Sequence, residues 1–399
     1  MLIRFLIVFI GLFAPFGFAQ EAEVKLPDSK LMLLGGHYEK DCLAVGDLSV
    51  YAIEQEKVKK ILHGFRFKHE PKPILSPDRE IVCVLGKQGR NENIALIYEL
   101  GWRRDSRLNL TAPPSAWTFN PSSEKIAIAT GTTLSEYIVE TQEFTPLSLQ
   151  TDSPIEAVGY SPDEEFLLVT TEGKSRLVKA DSFEVVNTLP AHGVAPGKSR
   201  WLEPRKLAVL SGRGGPDSFV DVYTLSESGE LDPTVPKRLA SMGPSGRFMD
   251  IALSPYGKQL AIPTRILSSP VDFFAKAEEM FLDRMVWFKP VELKKLRKAF
   301  DPAEHWFAWS PKGGKFALIA QRYHAKPGHQ ELKKMNDVKK EWVVVVSKDL
   351  ETFKEQPNPV YVSPSPLSSL CWSQDGKHLY VNAESGMGGM RKVLSFLVH

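Results

Sequence analysis

The stretch Tyr160-Ser161-Pro162-Asp163-Glu164-Glu165-Phe166-Leu167-Leu168-Val169 carries the decision about the fold. Proline at the second position presets φ for a tight turn, and a serine or aspartate beside it can bond back to the backbone. Four apolar residues then follow without interruption. The segment therefore reads as a turn that hands the chain directly into a buried strand.

The same unit recurs from end to end. It appears as Leu75-Ser76-Pro77-Asp78-Arg79, Asn120-Pro121-Ser122-Ser123, Leu253-Ser254-Pro255-Tyr256-Gly257-Lys258, Trp309-Ser310-Pro311-Lys312-Gly313 and Trp372-Ser373-Gln374-Asp375-Gly376-Lys377, with a weaker copy at Glu203-Pro204-Arg205-Lys206. Each copy precedes a short apolar run, at 81–85, 126–129, 166–169, 207–210, 260–262, 316–319 and 379–381. The prolines, with Gln374 in place of the last, are spaced 44, 41, 42, 51, 56 and 63 residues apart. That period is the length of one propeller blade, lengthened in the second half by insertions.

A further strand pattern recurs at 49–53, 94–98, 134–139, 176–178, 219–223, 285–288, 342–346 and 393–398, often with an acidic residue close behind, as at Glu54, Glu99, Glu140, Asp181 and Asp349. The order of S-P-D-G-K turn, apolar strand and second strand ending in an acidic position resembles the degenerate, bacterial type of WD-repeat and TolB-like propeller. The Gly-His that opens a WD repeat survives only in traces, at Gly36-His37 and His192-Gly193, and no true Trp-Asp pair is present. The resemblance implies an all-β fold: a single propeller of four-stranded blades, eight rather than seven. The last repeat ends on its third strand, so a segment near residues 22–26 is expected to supply the fourth and remove the open edge.

The first residues, Met1-Leu2-Ile3-Arg4 followed by an apolar run to Phe13, Pro15 and small residues at Gly17 and Ala19, read as a secretory signal peptide cleaved after Ala19. An uncleaved anchor is the alternative reading of the same stretch. No later stretch is long and apolar enough to span a bilayer, so residues 20–399 are expected to form one exported, secreted or periplasmic domain with no integral membrane segment. Lysine and arginine total 50 against 48 acids, and losing Arg4 leaves a difference of one. Such balance argues against a nucleic-acid binder. Three cysteines, Cys42, Cys83 and Cys371, allow at most one disulfide, and buried thiols are the simpler reading.

The long loops all fall between second and third strands, with insertions at about 264–284 and 321–341. In the first, Phe273, Phe274, Ala277, Met280 and Phe281 recur at helical spacing behind Asp272, which predicts a short amphipathic helix. Arg213, Arg265, Arg322 and His324 lie where these loops begin, and would form a cationic mouth for a carboxylate or other polyanionic ligand if the loops converge. No nucleophile elbow, zinc motif, phosphate cradle or cofactor signature is present, so catalytic residues, metal ligands and cofactors are all read as none. The leading expectation is a noncatalytic interaction scaffold recognising a protein or peptide partner through the insertion-bearing face. The alternative is a propeller enzyme, a hydrolase or lyase acting on a sugar or lactone with residues assembled from several blades.

Overall fold

The computed structural model describes residues 19–35, 41–54, 56–63, 65–67, 72–88, 92–172, 174–189, 199–211, 219–231, 237–241, 246–248, 252–253, 260–266, 283–288, 296–299, 301–313, 315–325, 338–347, 360–384 and 391–398. Every regular element among them is a β-strand. The strands form eight antiparallel sheets, which we number in chain order. Sheet I spans residues 31–63, II 72–110, III 114–150, IV 155–189, V 199–241, VI 246–299, VII 301–363 and VIII 367–397.

Seven of the sheets have four strands. In I to V and in VII the strands lie side by side in the order in which the chain makes them. Sheet VI departs because its first strand is split: Gly246–Phe248 and Ala252–Leu253 both pair with Leu260–Ile266. Sheet VIII takes its outermost strand from the other end of the chain. Ala19–Leu26 pairs antiparallel with Arg391–Leu397, Val24 opposite Val393 and Leu26 opposite Arg391.

Burial within a sheet explains which strands the sequence announces. The second strands Asp41–Gly46 and Phe166–Thr171 are buried at every position, because other sheets cover both of their faces. Such strands must be apolar throughout, and they are the uninterrupted runs that follow each turn. The fourth strands Lys57–His63 and Arg104–Leu110 are largely exposed and correspondingly charged. Side chains of consecutive sheets interleave into separate cores. Cys83 and Leu85 of II meet Ile126 and Ile128 of III, Ala127 and Ala129 of III meet Leu167 and Val169 of IV, and Leu26, Leu33 and Cys42 meet Cys371, Tyr380 and Val393.

The turns have the chemistry read from the sequence. In sheet II, the Ser76 N–H donates to Ile81 O (2.9 Å), the Arg79 N–H to Ser76 O (2.9 Å) and the Ile81 N–H to Ser76 Oγ (2.9 Å). Ser161 with Phe166 and Ser373 with His378 repeat this pattern at 2.9 Å, and Asn120 Oδ1 replaces the hydroxyl in sheet III, accepting from the Lys125 N–H at 2.7 Å. The fourth turn residue is left-handed throughout: φ is 65° at Arg79, 67° at Ser123, 62° at Glu164, 67° at Gly313 and 68° at Gly376. Glycine was expected at this position, yet three of the five turns carry a side chain that strains it.

Those side chains reach back to the preceding sheet. The Glu164 carboxylate of IV accepts from Ser122 N (2.5 Å), Asn120 Nδ2 (2.8 Å) and Ser122 Oγ (3.3 Å) of III. Ser123 Oγ of III accepts from the Asp78 N–H of II at 3.1 Å. Arg79 of II lies against sheet I, where its Nη1 stands 3.2 Å from the point a β-carbon on Gly35 would occupy. Sheet V continues the series with Arg205, which binds Asp163 and Glu165 of IV and covers the Phe166 ring at 5.0 Å.

Two expectations change in detail. The stretch 321–341 is not a loop over its whole length, because the strands Phe316–Ala325 and Val338–Ser347 stay paired out to Ala325 opposite Val338. A ladder is held by backbone groups, so it persists where the side chains turn polar and the sequence looks like a loop. Likewise 264–284 opens and closes as strand, with Arg265 opposite Asp283. The helix expected within it lies outside the described residues, as does the signal sequence expected at 1–19 apart from Ala19, which opens the strand Ala19–Leu26.

Candidate functional site

Antiparallel order puts the first-to-second and third-to-fourth connections of sheets I to VII at one end. Between sheets II and III these turns diverge around a groove of about 490 Å³. Asp78 and Glu80 from the Ser76 turn form one wall, and Ser122, Glu124 and Lys125 form the other. The outer rim is the hairpin between Glu92–Glu99 and Arg104–Leu110, whose tip, Gly101-Trp102-Arg103, is bent through a left-handed Arg103 at φ 51°. That bend leaves Trp102 85% exposed at the lip, more than any other large hydrophobic side chain among the described residues.

The groove is acidic. Asp78, Glu80, Glu99, Glu124 and Glu140 line it against two cations, Arg104 and Lys125. Arg104 is tied to Glu99 at 2.5 Å and reaches the Val139 carbonyl of sheet III at 3.5 Å, while Lys125 faces Glu136 at 3.3 Å. Its polar walls are rigid: Asp78 accepts from Ser76 Oγ (2.5 Å) and from the Glu80 N–H (3.0 Å). The arrangement is suited to holding a cation against an indole face, an attraction that strengthens as water is excluded.

The residues singled out from sequence lie elsewhere. Arg265 is in the second strand of sheet VI, opposite Asp283 and Arg247. Arg322 and His324, expected at or just beyond the end of a second strand, are near the end of the second strand of sheet VII, opposite Glu341 and Lys339, with the strand ending at Ala325. Arg213 lies outside the described residues. Trp102 was not singled out from sequence, although a tryptophan flanked by Gly101 and the charged run Arg103-Arg104-Asp105 between two strands was a readable sign of an aromatic in a turn. Among the described residues no group of three or more His, Cys, Asp or Glu is placed to hold a metal, and no helix is long and apolar enough to cross a membrane.

No known family profile matches the sequence, and no curated protein matches it at significant similarity. Solved structures do match. The chain is similar to hydrazine synthase of Kuenenia stuttgartiensis, with a TM-score of 0.54 at 14% identity over 77% of this chain and 91% of that one. It is similar also to the β-propeller domain of Cps50 (Swd1) from Myceliophteria thermophila, with a TM-score of 0.53 at 12% identity over 75% of this chain and 96% of that one. The fold is a β-propeller. At such identities the likeness carries the fold and not the activity, since one scaffold of this kind sits in an enzyme and the other does not bear an enzyme's name.

Proposed function

We propose that the chain is an exported, noncatalytic propeller of eight blades that binds a cationic segment of a partner protein in the groove between sheets II and III. Cleavage after Ala19 leaves residues 20–26 of the strand that pairs with Arg391–Leu397 as the new N-terminus, and this pairing supports a ring shut by joining the two chain ends. The observation that carries the binding reading is Trp102, a large aromatic held in solvent at the rim of a groove with an excess of carboxylates. Aromatic anchors with a charged surround are where binding energy concentrates in protein interfaces.

A second contact is proposed on the opposite face. The hairpin of sheet VII runs ten residue pairs, from Phe316 opposite Ser347 to Ala325 opposite Val338, whereas that of sheet IV runs six. It thereby carries Arg322 and His324 beyond the ends of the shorter ladders, where, with Arg213 and Arg265, they would meet a polyanionic surface.

Titrating the purified protein with a fluorescent oligoarginine peptide tests the groove. Binding should weaken with salt, and Trp102→Ala should raise Kd about tenfold, the loss expected for one partly desolvated cation–π contact. Glu124→Gln combined with Glu140→Gln should weaken it by a similar factor. Absence of binding, or a Trp102→Ala protein that binds as wild type, would overturn the proposal.

A further inference from the structure

We infer that Cys42 and Cys371 form a disulfide that fastens sheet I to sheet VIII. All three cysteines are buried thiols, and Cys42 and Cys371 share one core. Cys42, fully buried, and Cys371, 5% exposed, belong to one packed cluster with Leu33, Tyr51 and Tyr380. Cys83 sits apart from them, in the core between sheets II and III.

The backbone on either side of the pair is held close. Cys42 stands directly opposite Gly35 in the ladder of sheet I, and Cys371 precedes Trp372 in the first strand of sheet VIII. A β-carbon on Gly35 would lie 3.3 Å from the Trp372 carbonyl oxygen, so the missing side chain is what lets the two strands approach. Two residues from Gly35, the Leu33 N–H donates to Ser369 Oγ at 3.2 Å, and Asn382 Nδ2 of sheet VIII donates to Leu31 O at 2.7 Å. These two hydrogen bonds hold Leu31–Gly35, the strand paired with that of Cys42, against sheet VIII, whose first strand carries Cys371.

Burial, then the contact with Cys371, then the nearby charge of Asp41 push the Cys42 thiol well above its ordinary range. A thiol held protonated is a poor nucleophile, so the bond has to form while sheets I and VIII are still coming together. The chemistry is exchange with a disulfide oxidant, oxidised glutathione or the disulfide of an oxidoreductase. One cysteine attacks the oxidant as a thiolate, giving a mixed disulfide and releasing one oxidant thiol. The second cysteine then displaces the other, so two electrons pass to the oxidant and the two protons of Cys42 and Cys371 end on its thiols. In the cell this requires an oxidising compartment, and to that extent the inference rests on the proposed export.

The test does not depend on the compartment. The full-length mature chain is reduced, unfolded and refolded in a mixture of oxidised and reduced glutathione, then unfolded again without reductant and labelled with a maleimide. One labelled thiol is expected, Cys83, together with a non-reduced proteolytic fragment joining the Cys42 and Cys371 peptides. Cys83→Ala should keep that fragment and take no label, and Cys371→Ala should abolish it. Three labelled thiols in the refolded wild type, or a bridge that engages Cys83, would overturn the inference. A chain that bridges on refolding but leaves cells with three free thiols supports the bridge and counts against export.

Discussion

Glu164 occupies a position that glycine would fill without strain, and replacing it measures what the stitching between sheets is worth. A non-glycine residue at φ 62° costs about 1 kcal/mol relative to glycine. Against that, its carboxylate accepts three hydrogen bonds from sheet III, at 2.5, 2.8 and 3.3 Å. A bond to a charged acceptor contributes about 1.5 kcal/mol in a half-buried setting and less when long, so the set is worth about 3 kcal/mol. Glu164→Gly therefore gains about 1 and loses about 3, a net destabilisation of about 2 kcal/mol. Glu164→Ala loses the same bonds and keeps the strain, which makes it about 1 kcal/mol worse still. Urea unfolding followed by tryptophan fluorescence should rank wild type above glycine and glycine above alanine, and thermal unfolding should show Tm falling by about 3 °C for the glycine variant. In a double-mutant cycle with Asn120→Ala, the two losses should be less than additive. A glycine variant as stable as wild type, or more so, would refute the reasoning, because strain would then outweigh every contact the side chain makes.

Gly46→Ala should be among the most damaging single changes in sheet I. The new β-carbon would stand 2.1 Å from Asp28 Oδ1, and Asp28 is fully buried while accepting from the Leu48 N–H (2.7 Å) and Tyr51 Oη (2.6 Å). Displacing it should cost about 3 kcal/mol, read as a lower urea midpoint. Burial, and after it the hydrogen bond to Asp28, push the Tyr51 phenol up to about 12. A phenol raised in the folded state stabilises the fold below its unfolded value near 10, and that stability is lost as pH rises from about 10 to 12. Tyr51→Phe should therefore flatten the alkaline limb of the stability curve; an unchanged limb would remove Tyr51 from the account.

How far the fold was legible follows from how local its chemistry is. The Ser-Pro-Asp turn is made by groups within five residues, as in the Ile81 N–H to Ser76 Oγ bond, so its copies stand out in sequence. The strands behind it are buried on both faces and had to be apolar. The same turn chemistry at Ser226-Glu227-Ser228-Gly229, where Gly229 takes φ 84° and its N–H donates to Ser226 O at 3.0 Å, escaped notice because it sits between third and fourth strands, where no proline marks it. The groove was not legible at all. Asp78, Glu99 and Glu140 are scattered through the chain, and only the packing of sheet II on sheet III brings them to one rim. The pairing of Cys42 with Cys371 was hidden for the same reason at greater range, since its partners lie in the first and last repeats. Arg322 and His324 read in sequence as the start of a loop, because a backbone ladder leaves no trace in polar side chains.

The left-handed turn position ties these threads together. At Gly376 a β-carbon would come 3.4 Å from Ser310 Oγ of the preceding sheet, so this position faces backward there as it does at Ser123 and Glu164. A residue placed here has two ways to satisfy the backbone: glycine, which avoids the strain and makes no contact, or a side chain that accepts the strain and bonds the sheet before it. Sheets III and IV take the second course, Arg79 of II lies against Gly35 of sheet I, and VII and VIII take the first. The groove opens between two of the stitched sheets, where the Asp78 N–H to Ser123 Oγ bond fixes the spacing of its walls. At the junction of VIII with I, the first repeat carries no Ser-Pro-Asp sequence. There the strands are held instead by Ser369, Asn382 and the Cys42 and Cys371 pair. A covalent bond at this junction would add much, because it joins residues roughly 330 apart and so removes a large loop entropy from the unfolded chain.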